Sequence, residues 1–309
     1  MTAIALGTMN FGKRTRADDA QRIVDRAILR GVTVFDTANV YNEGESERIL
    51  GRTLGERRSD VTIASKVGMA RVGGKPEGLS KGAIERAIVG TLERLGTDYL
   101  DVYYLHAPDH ATPIEETLAA IHALLEAKTI RAWGVSNYAS WQVLEMMSLA
   151  DRAGMPHPTM AQLLYNPLIR ELDIEWFAFA RRFPIHTTVY NPLAGGLLTG
   201  RLARDEAPPK GSRFDNNAFY AKRYFTQAMF ARVDELREVA AAESMTLVEL
   251  AYAWVAGRKG VDSILVGPGS LEHFDAAVEA CARRLSEAAN KRIDELSMAW
   301  RGTDTSYVR

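Results

Sequence analysis

Apolar positions along this chain follow two spacings in turn. Short runs of aliphatic and β-branched residues recur at regular intervals. Between them apolar residues return every three or four positions, the period of one helix face. The short runs predict strands over residues 4–6, 32–35, 61–64, 100–105, 130–135, 160–164, 185–189 and 263–266. The longer segments predict helices over 17–30, 46–55, 80–95, 113–128, 140–153, 174–182, 228–243, 247–257, 270–280 and 287–300. In the first, Ile23, Val24, Ala27 and Ile28 form the apolar stripe and Gly31 supplies the stop. Ser80 stands where an N-cap is expected, with Gly96 just past the other end of that helix. The helix over 113–128 is expected to start at Pro113, with Glu115 and Glu116 in its first turn.

Strand and helix alternate almost strictly, and parallel neighbours need such crossovers. Eight units of this kind imply a closed (β/α)8 TIM barrel of the α/β class, with a doubly wound open sheet as the alternative. No low-complexity linker divides the chain, so residues 1–309 are read as a single domain. One long irregular stretch, 197–226, is rich in Pro, Gly, Arg and Asn, the composition of a functional or mobile loop.

Composition narrows the function. A hydrophobic fraction of 47% over 309 residues suits a globular enzyme that needs no disulfide or metal staple. The net charge of −1 argues against a general nucleic-acid binder. One cysteine, Cys281, excludes an internal disulfide and suits a reducing compartment. No basic leader and no apolar run of membrane-spanning length is present, so the protein is expected to be cytoplasmic, with no membrane partner. The six histidines are scattered, which argues against a metal site. No nucleophile elbow is found.

In a barrel the active site lies at the C-terminal ends of the strands. There the second strand runs into Asp36 and, just beyond, Tyr41. The third leads to Lys66, the fourth to His106, the fifth to Ser136 and Asn137. The sixth carries Gln162, the seventh leads to Tyr190, Asn191 and Pro192, and the eighth to Gly267 and Ser270. Asp, Tyr, Lys and His form a coherent proton-transfer set. A free tyrosine is too weak an acid near neutral pH, a nearby ammonium favours its phenolate, and a carboxylate steadies the buried lysine. A histidine beside them can hydrogen-bond a carbonyl oxygen.

Phe35-Asp36-Thr37-Ala38, then Tyr41 and Gly44-Glu45-Ser46-Glu47, resemble the aldo-keto reductase superfamily signature. So do Ser65-Lys66, Leu105-His106, Gly134-Val135-Ser136-Asn137 and Asn191-Pro192-Leu193. The matches occur in order over nearly the whole chain. His106-Ala107-Pro108-Asp109-His110, the segment from Ser136 to Trp141 and the run 191–200 look more narrowly like the aflatoxin-aldehyde reductase subgroup, whose members reduce dicarbonyls and small carboxylated aldehydes such as succinic semialdehyde. The resemblance implies an NADPH-dependent aldehyde reductase in which Tyr41 is the general acid, Lys66 lowers its pKa, Asp36 pairs with Lys66 and His106 orients the carbonyl. It implies that the nicotinamide stacks on Tyr190 and is held by Ser136, Asn137 and Gln162. Asn191, Pro192, Leu193, Ala194, Gly195, Gly196, Leu197, Leu198, Gly200 and Arg201 would cover the pyrophosphate. Gly267 and Ser270, with Arg201 and Arg213, would take the adenosine 2′-phosphate, since helix N-termini suit anions. Tyr220, Arg223 and Arg309 would clamp a substrate carboxylate. The chain departs from its relatives on the last barrel helix, where His273 and Ala277 replace Gln and Asn beside the adenine.

Each residue also has a plainer reading. Asp36 and Lys66 suit a structural ion pair, His106 a satisfied buried histidine, Tyr41 a loop aromatic, and residues 267–269 a turn. Arg223 suits a solvated charge and Arg309 a frayed terminus. Co-occurrence at successive strand ends favours the catalytic reading. Against the reductase stands a cofactor-sensing subunit like the channel β subunits of the same superfamily, although the chain has no N-terminal extension. Other aldehydes, such as methylglyoxal, a sugar-derived aldehyde or a bulky dialdehyde, are alternatives within the enzyme reading. A small-molecule aldehyde is the expected partner, and a homodimer is compatible with the sequence.

Overall fold

A computed structural model describes residues 2–215 and 217–303. Each predicted strand forms: β1 (Ala3–Gly7), β2 (Val34–Asp36), β3 (Thr62–Val67), β4 (Leu100–Leu105), β5 (Ile130–Ser136), β6 (Met160–Leu164), β7 (His186–Tyr190) and β8 (Ser263–Val266). All pair in parallel with their sequence neighbours. Ala3 opposite Ser263 closes β1 onto β8, so the sheet is a closed barrel and not an open one.

Helices α1 (Ala17–Leu29), α2 (Glu45–Leu54), α3 (Lys81–Leu95), α4 (Ile114–Glu126), α5 (Ser140–Ala153) and α6 (Trp176–Arg182) follow the first six strands in turn. Between β7 and β8 lie α7 (Ala218–Tyr224), α8 (Gln227–Ala242) and α9 (Leu247–Gly257). After β8 come α10 (Leu271–Ala282) and α11 (Glu287–Arg301). Ser80 caps α3 by accepting the Ala83 amide at 3.4 Å, and Gly96 ends the helix at φ 65°. Pro113 is the N-cap of α4 instead of its first helical residue.

Two further expectations change. The helix expected over 174–182 begins only at Trp176, after a 3-10 turn at Glu171–Asp173, because Arg170 and Tyr165 hold Asp173 outside a regular helix. The stretch 197–226 is not irregular throughout. It contains α7, capped by Asn217, and its start belongs to a 3-10 turn, Ala194–Thr199. A hairpin of Arg71–Val72 against Lys75–Pro76, too short to leave a periodic signal, stands between β3 and α3.

Alternation along the strands sorts side chains into two cores. Tyr103 and Leu105 of β4 point outward into the large core shared with the helices. Val102 and Tyr104 point inward, where they meet Ala64 and Met160. The interior is tight: a methyl group on Gly134 would come within 2.5 Å of the Met160 carbonyl. Continuing the inward rows by two residues places Lys66 beyond Ala64, Ser136 beyond Gly134 and Gln162 beyond Met160, all at the C-terminal mouth. Among the described residues, no single helix is long and apolar enough to cross a membrane.

Candidate active site

The floor of the mouth is a buried ion pair. Lys66 Nζ lies 2.5 Å from Asp36 Oδ1 and donates to the Thr37 carbonyl at 2.7 Å. Gln162 Nε2 donates to Asp36 Oδ2 at 2.7 Å. Gln162 stands on β6 and Asp36 on β2, across the barrel, so this bond runs through the interior. Lys66 is fully buried and Asp36 nearly so. Burial pushes the Lys66 pKa down, and Asp36 opposes that by charge and hydrogen bond.

Tyr41 and His106 sit above the pair. The Lys66 ammonium lies 5.1 Å from the centre of the Tyr41 ring, and the Tyr41 and His106 rings meet edge-on at 5.9 Å. In this fold the phenol pKa is raised, first by burial and then by the Asp36 carboxylate. His106 is nearly buried and pushed down to about 3, by burial and then by Lys66, so its imidazole is neutral. Its Nδ1 is buried without a hydrogen-bond partner among the described residues. A lone pair left unpaired costs less than an unpaired N–H, which favours the tautomer with the proton on Nε2.

The neighbouring polar residues are held in place by one another. Asn137, at φ 65°, donates through Nδ2 to the His106 carbonyl at 2.9 Å and to Ser136 Oγ at 3.0 Å, and accepts from the Tyr190 hydroxyl at 2.7 Å. Ser136 Oγ donates to the Gln162 carbonyl at 2.9 Å. The side chains expected to hold a carboxamide thus already hold each other, and Gln162 is also committed to Asp36. Burial pushes the Tyr190 hydroxyl up to about 12, and the charge of Arg223 opposes this. Arg223 lies 4.4 Å from the centre of the Phe219 ring. Tyr220 packs beside the turn after β7, where its ring lies 2.9 Å from the place a methyl group on Gly195 would take, and its hydroxyl is 3.4 Å from Arg213. Arg309 lies outside the described residues.

The turn after β7 follows from left-handed backbone at Asn191, Ala194, Gly195 and Gly196. Asn191 Oδ1 accepts the Gly195 amide at 2.6 Å, and its Nδ2 donates to the Tyr224 hydroxyl at 2.9 Å. Leu193 is half-buried and Pro192, Leu197 and Leu198 are buried beneath the turn, which ends at Gly200. Across the mouth, Asn10 donates to the Gly267 and Pro268 carbonyls at 3.1 and 3.0 Å. Its Oδ1 is 3.4 Å from both Arg14 and Arg213. Two guanidiniums therefore stand near the start of α10, where Ser270 is the N-cap. Arg201 and His273 are exposed. Ala277 is buried in the core, so that position presents no polar group.

Sequence reasoning missed Asn10, Arg14, Asn166 and Tyr224, whose roles depend on partners remote in sequence, such as Gly267 for Asn10 and Gly211 for Arg14. It quoted Glu47 without a role. Glu47 is fully buried, accepts from Ser65 Oγ at 2.5 Å and lies 2.6 Å from Arg94 Nε.

The comparisons agree with this geometry. The model of the aldo/keto reductase family matches residues 3–298. Aldo-keto reductase family 7 member A3 of Homo sapiens is 34% identical over 96% of this chain and 93% of its own length. Aflatoxin B1 aldehyde reductase member 2 of Homo sapiens is 34% identical over 96% of this chain and 86% of its own. A probable voltage-gated potassium channel subunit beta of Oryza sativa subsp. japonica is 33% identical over 84% of this chain and 80% of its own. A barrel with a buried Asp-Lys pair under a Tyr and a neutral His, matched by that model along almost its whole length, belongs to the aldo/keto reductase family.

Proposed function

We propose that this chain is an NADPH-dependent, cytoplasmic reductase that converts aldehydes to alcohols, with dicarbonyls and small carboxylated aldehydes such as succinic semialdehyde as its substrate class. The observation that carries the reading is the convergence of Tyr41, neutral His106 and the buried Lys66–Asp36 pair at one barrel mouth.

The mouth fits a dinucleotide. A methyl group on Gly196 would meet nothing, and one on Gly267 only a carbonyl at 3.8 Å, so phosphates have room to approach the backbone on both sides. Arg14 and Arg213 supply positive charge beside the N-terminus of α10. The turn 191–200, Arg213, Gly267 and Ser270 would hold the phosphates, and Ser136, Asn137, Gln162 and Tyr190 the nicotinamide end. When bound, NADPH supplies hydride to the carbonyl carbon.

The chain's own residues handle the oxygen. His106 Nε2–H hydrogen-bonds the carbonyl oxygen and fixes its direction. The Tyr41 hydroxyl gives its proton to that oxygen as negative charge grows there. An alkoxide is a stronger base than a phenolate, so the raised Tyr41 pKa does not prevent the transfer and keeps the donor protonated beforehand. Lys66 then faces the phenolate that remains. Tyr220 and Arg223 would receive the far end of the substrate, where a carboxylate suits the guanidinium fork.

The test is NADPH oxidation followed by absorbance, with succinic semialdehyde and with nitrobenzaldehyde. Tyr41→Phe removes only the proton donor, so turnover should fall roughly a hundred- to ten-thousand-fold while NADPH still binds. Near-full activity in that variant sinks the mechanism. Arg223→Ala should raise KM for the carboxylated substrate roughly tenfold, the loss of about 1.4 kcal/mol of binding, and leave the neutral one unchanged. Equal effects on both dispose of the clamp. The potassium-channel relatives support a second reading, a cofactor-binding partner subunit. Tight NADPH binding with no turnover of either aldehyde would favour it.

A further inference from the structure

We propose that Glu77 is a positioning residue for Tyr41, acting through Asn39; the idea rests on the catalytic reading of Tyr41 above. Glu77 lies in the loop between the 71–76 hairpin and α3, outside the proton-transfer set. Its carboxylate joins two loops. Oε2 accepts the backbone amides of Gly68 at 2.7 Å and Ala70 at 3.4 Å, both just past the end of β3, the strand that carries Lys66. Oε1 accepts Asn39 Nδ2 at 2.8 Å.

Asn39 stands two residues before Tyr41, in the segment that leads from Asp36 to it. Its backbone amide reaches the Lys66 carbonyl at 3.4 Å, and the residue is only 9% exposed. Its Oδ1 is buried with no hydrogen-bond partner among the described residues. Glu77 is therefore the partner of that amide group. Without Glu77 the whole amide would be buried and unpaired, and the segment would gain by moving toward water.

On its far side Tyr41 leads into three left-handed residues, Asn42, Glu43 and Gly44. Left-handed backbone at two non-glycine residues persists only where neighbours over-determine it. Asn42 Nδ2 supplies one hold, on the Met9 and Phe11 carbonyls at 3.0 and 2.6 Å. Glu77 supplies the other. The Tyr41 ring lies 5.1 Å from Lys66 Nζ and meets the His106 ring edge-on at 5.9 Å, and these two anchors hold the loop that carries it there. Proton donation needs the hydroxyl placed to within a fraction of an ångström, and a misplacement of about 1 Å costs on the order of a hundredfold.

Glu77→Ala and Glu77→Gln, Asn39→Asp, and the double variant Asn39→Asp with Glu77→Gln test this with the full chain. The first should lower kcat roughly ten- to a hundredfold, with KM and NADPH affinity within about twofold of wild type. Asn39→Asp sets a carboxylate against Glu77 and should be as slow. The double variant rebuilds the bond with its polarity reversed, the new amide at position 77 donating to the new carboxylate at position 39, and should recover most of the rate. Glu77→Gln alone keeps the shape and covers the case in which the alanine variant does not fold. Amide hydrogen exchange over residues 37–44 is read in parallel and should quicken in Glu77→Ala. Wild-type kcat in Glu77→Ala, a loss confined to KM, or a double variant no faster than Asn39→Asp overturns the proposal. If the wild type turns over no aldehyde, the catalytic reading of Tyr41 fails by itself. Exchange over 37–44 then decides the anchor alone, and unchanged exchange overturns it.

Discussion

His106 is a base held where it cannot take up a proton. Its imidazole is pushed down to about 3 from an ordinary 6.5, burial being the larger cause and Lys66 the smaller. Between those values the unfolded chain binds a proton that the folded chain refuses, so stability rises with pH there. The contribution of this site is complete above about pH 6.5 and is lost as pH falls toward 3. The wild type should therefore lose on the order of a few kcal/mol between pH 7 and pH 4 from this residue. His106→Gln, which cannot be charged, should show a shallower acid slope. Urea unfolding midpoints of the two proteins at pH 7 and pH 4 measure it, and parallel slopes would mean that His106 is already solvated in the fold. The same depression keeps the imidazole neutral through the working pH range, which suits a hydrogen-bond donor to a carbonyl better than a second proton source.

At the scale of elements, the sequence was legible wherever periodicity was unbroken. The helix over 140–153, the strands over 160–164 and 263–266, and the helix over 247–257 match the structure residue for residue. Alternation also carried the site. Asp36, Lys66, Ser136, Gln162 and Tyr190 all lie at or near the ends of strands, where the pleat decides which side chain enters the barrel. Legibility ended where a partner far along the chain overrides local preference. The helix start at Trp176 depends on Asp173 being held by Tyr165 and Arg170, and α7 depends on a packed aromatic group of Phe214, Tyr220 and Phe225 that no local period announces. The Lys66–Asp36 pairing was legible, but its 2.5 Å separation and the full burial of the lysine were not. Glu47 illustrates the same limit, since its buried link to Arg94 of α3 joins residues 47 positions apart.

The whole molecule adds a closure that no single loop makes. After the turn that ends at Gly200, the chain crosses the barrel mouth to the loop between β1 and α1. There Arg14 donates through Nε to the Gly211 carbonyl and through its second terminal nitrogen to the Ser212 carbonyl, each at 2.9 Å. Arg213 meets Asn10 and the Met9 sulfur from the same segment, and Phe214 is buried behind it. The strand order makes this possible: β1 and β8 are neighbours, so the crossing spans from the end of β7 over β8 to β1. A segment fastened at both ends above the mouth should slow the exit of a dinucleotide beneath it. Arg14→Lys keeps the positive charge beside α10, cannot form the two-bond fork to the Gly211 and Ser212 carbonyls, and leaves Tyr41, Lys66 and His106 untouched. NADPH dissociation, followed by stopped-flow fluorescence against excess NADP, should quicken roughly tenfold, as loss of about 1.4 kcal/mol of bound-state stabilisation would give. The rate of the chemical step in a single turnover should stay at the wild-type value. If dissociation is unchanged, the crossing segment does not retain the cofactor and Arg14 only stiffens the loop. If dissociation quickens and steady-state kcat rises with it, opening of this segment limits turnover, and the fastening that holds the cofactor also sets the pace of the enzyme.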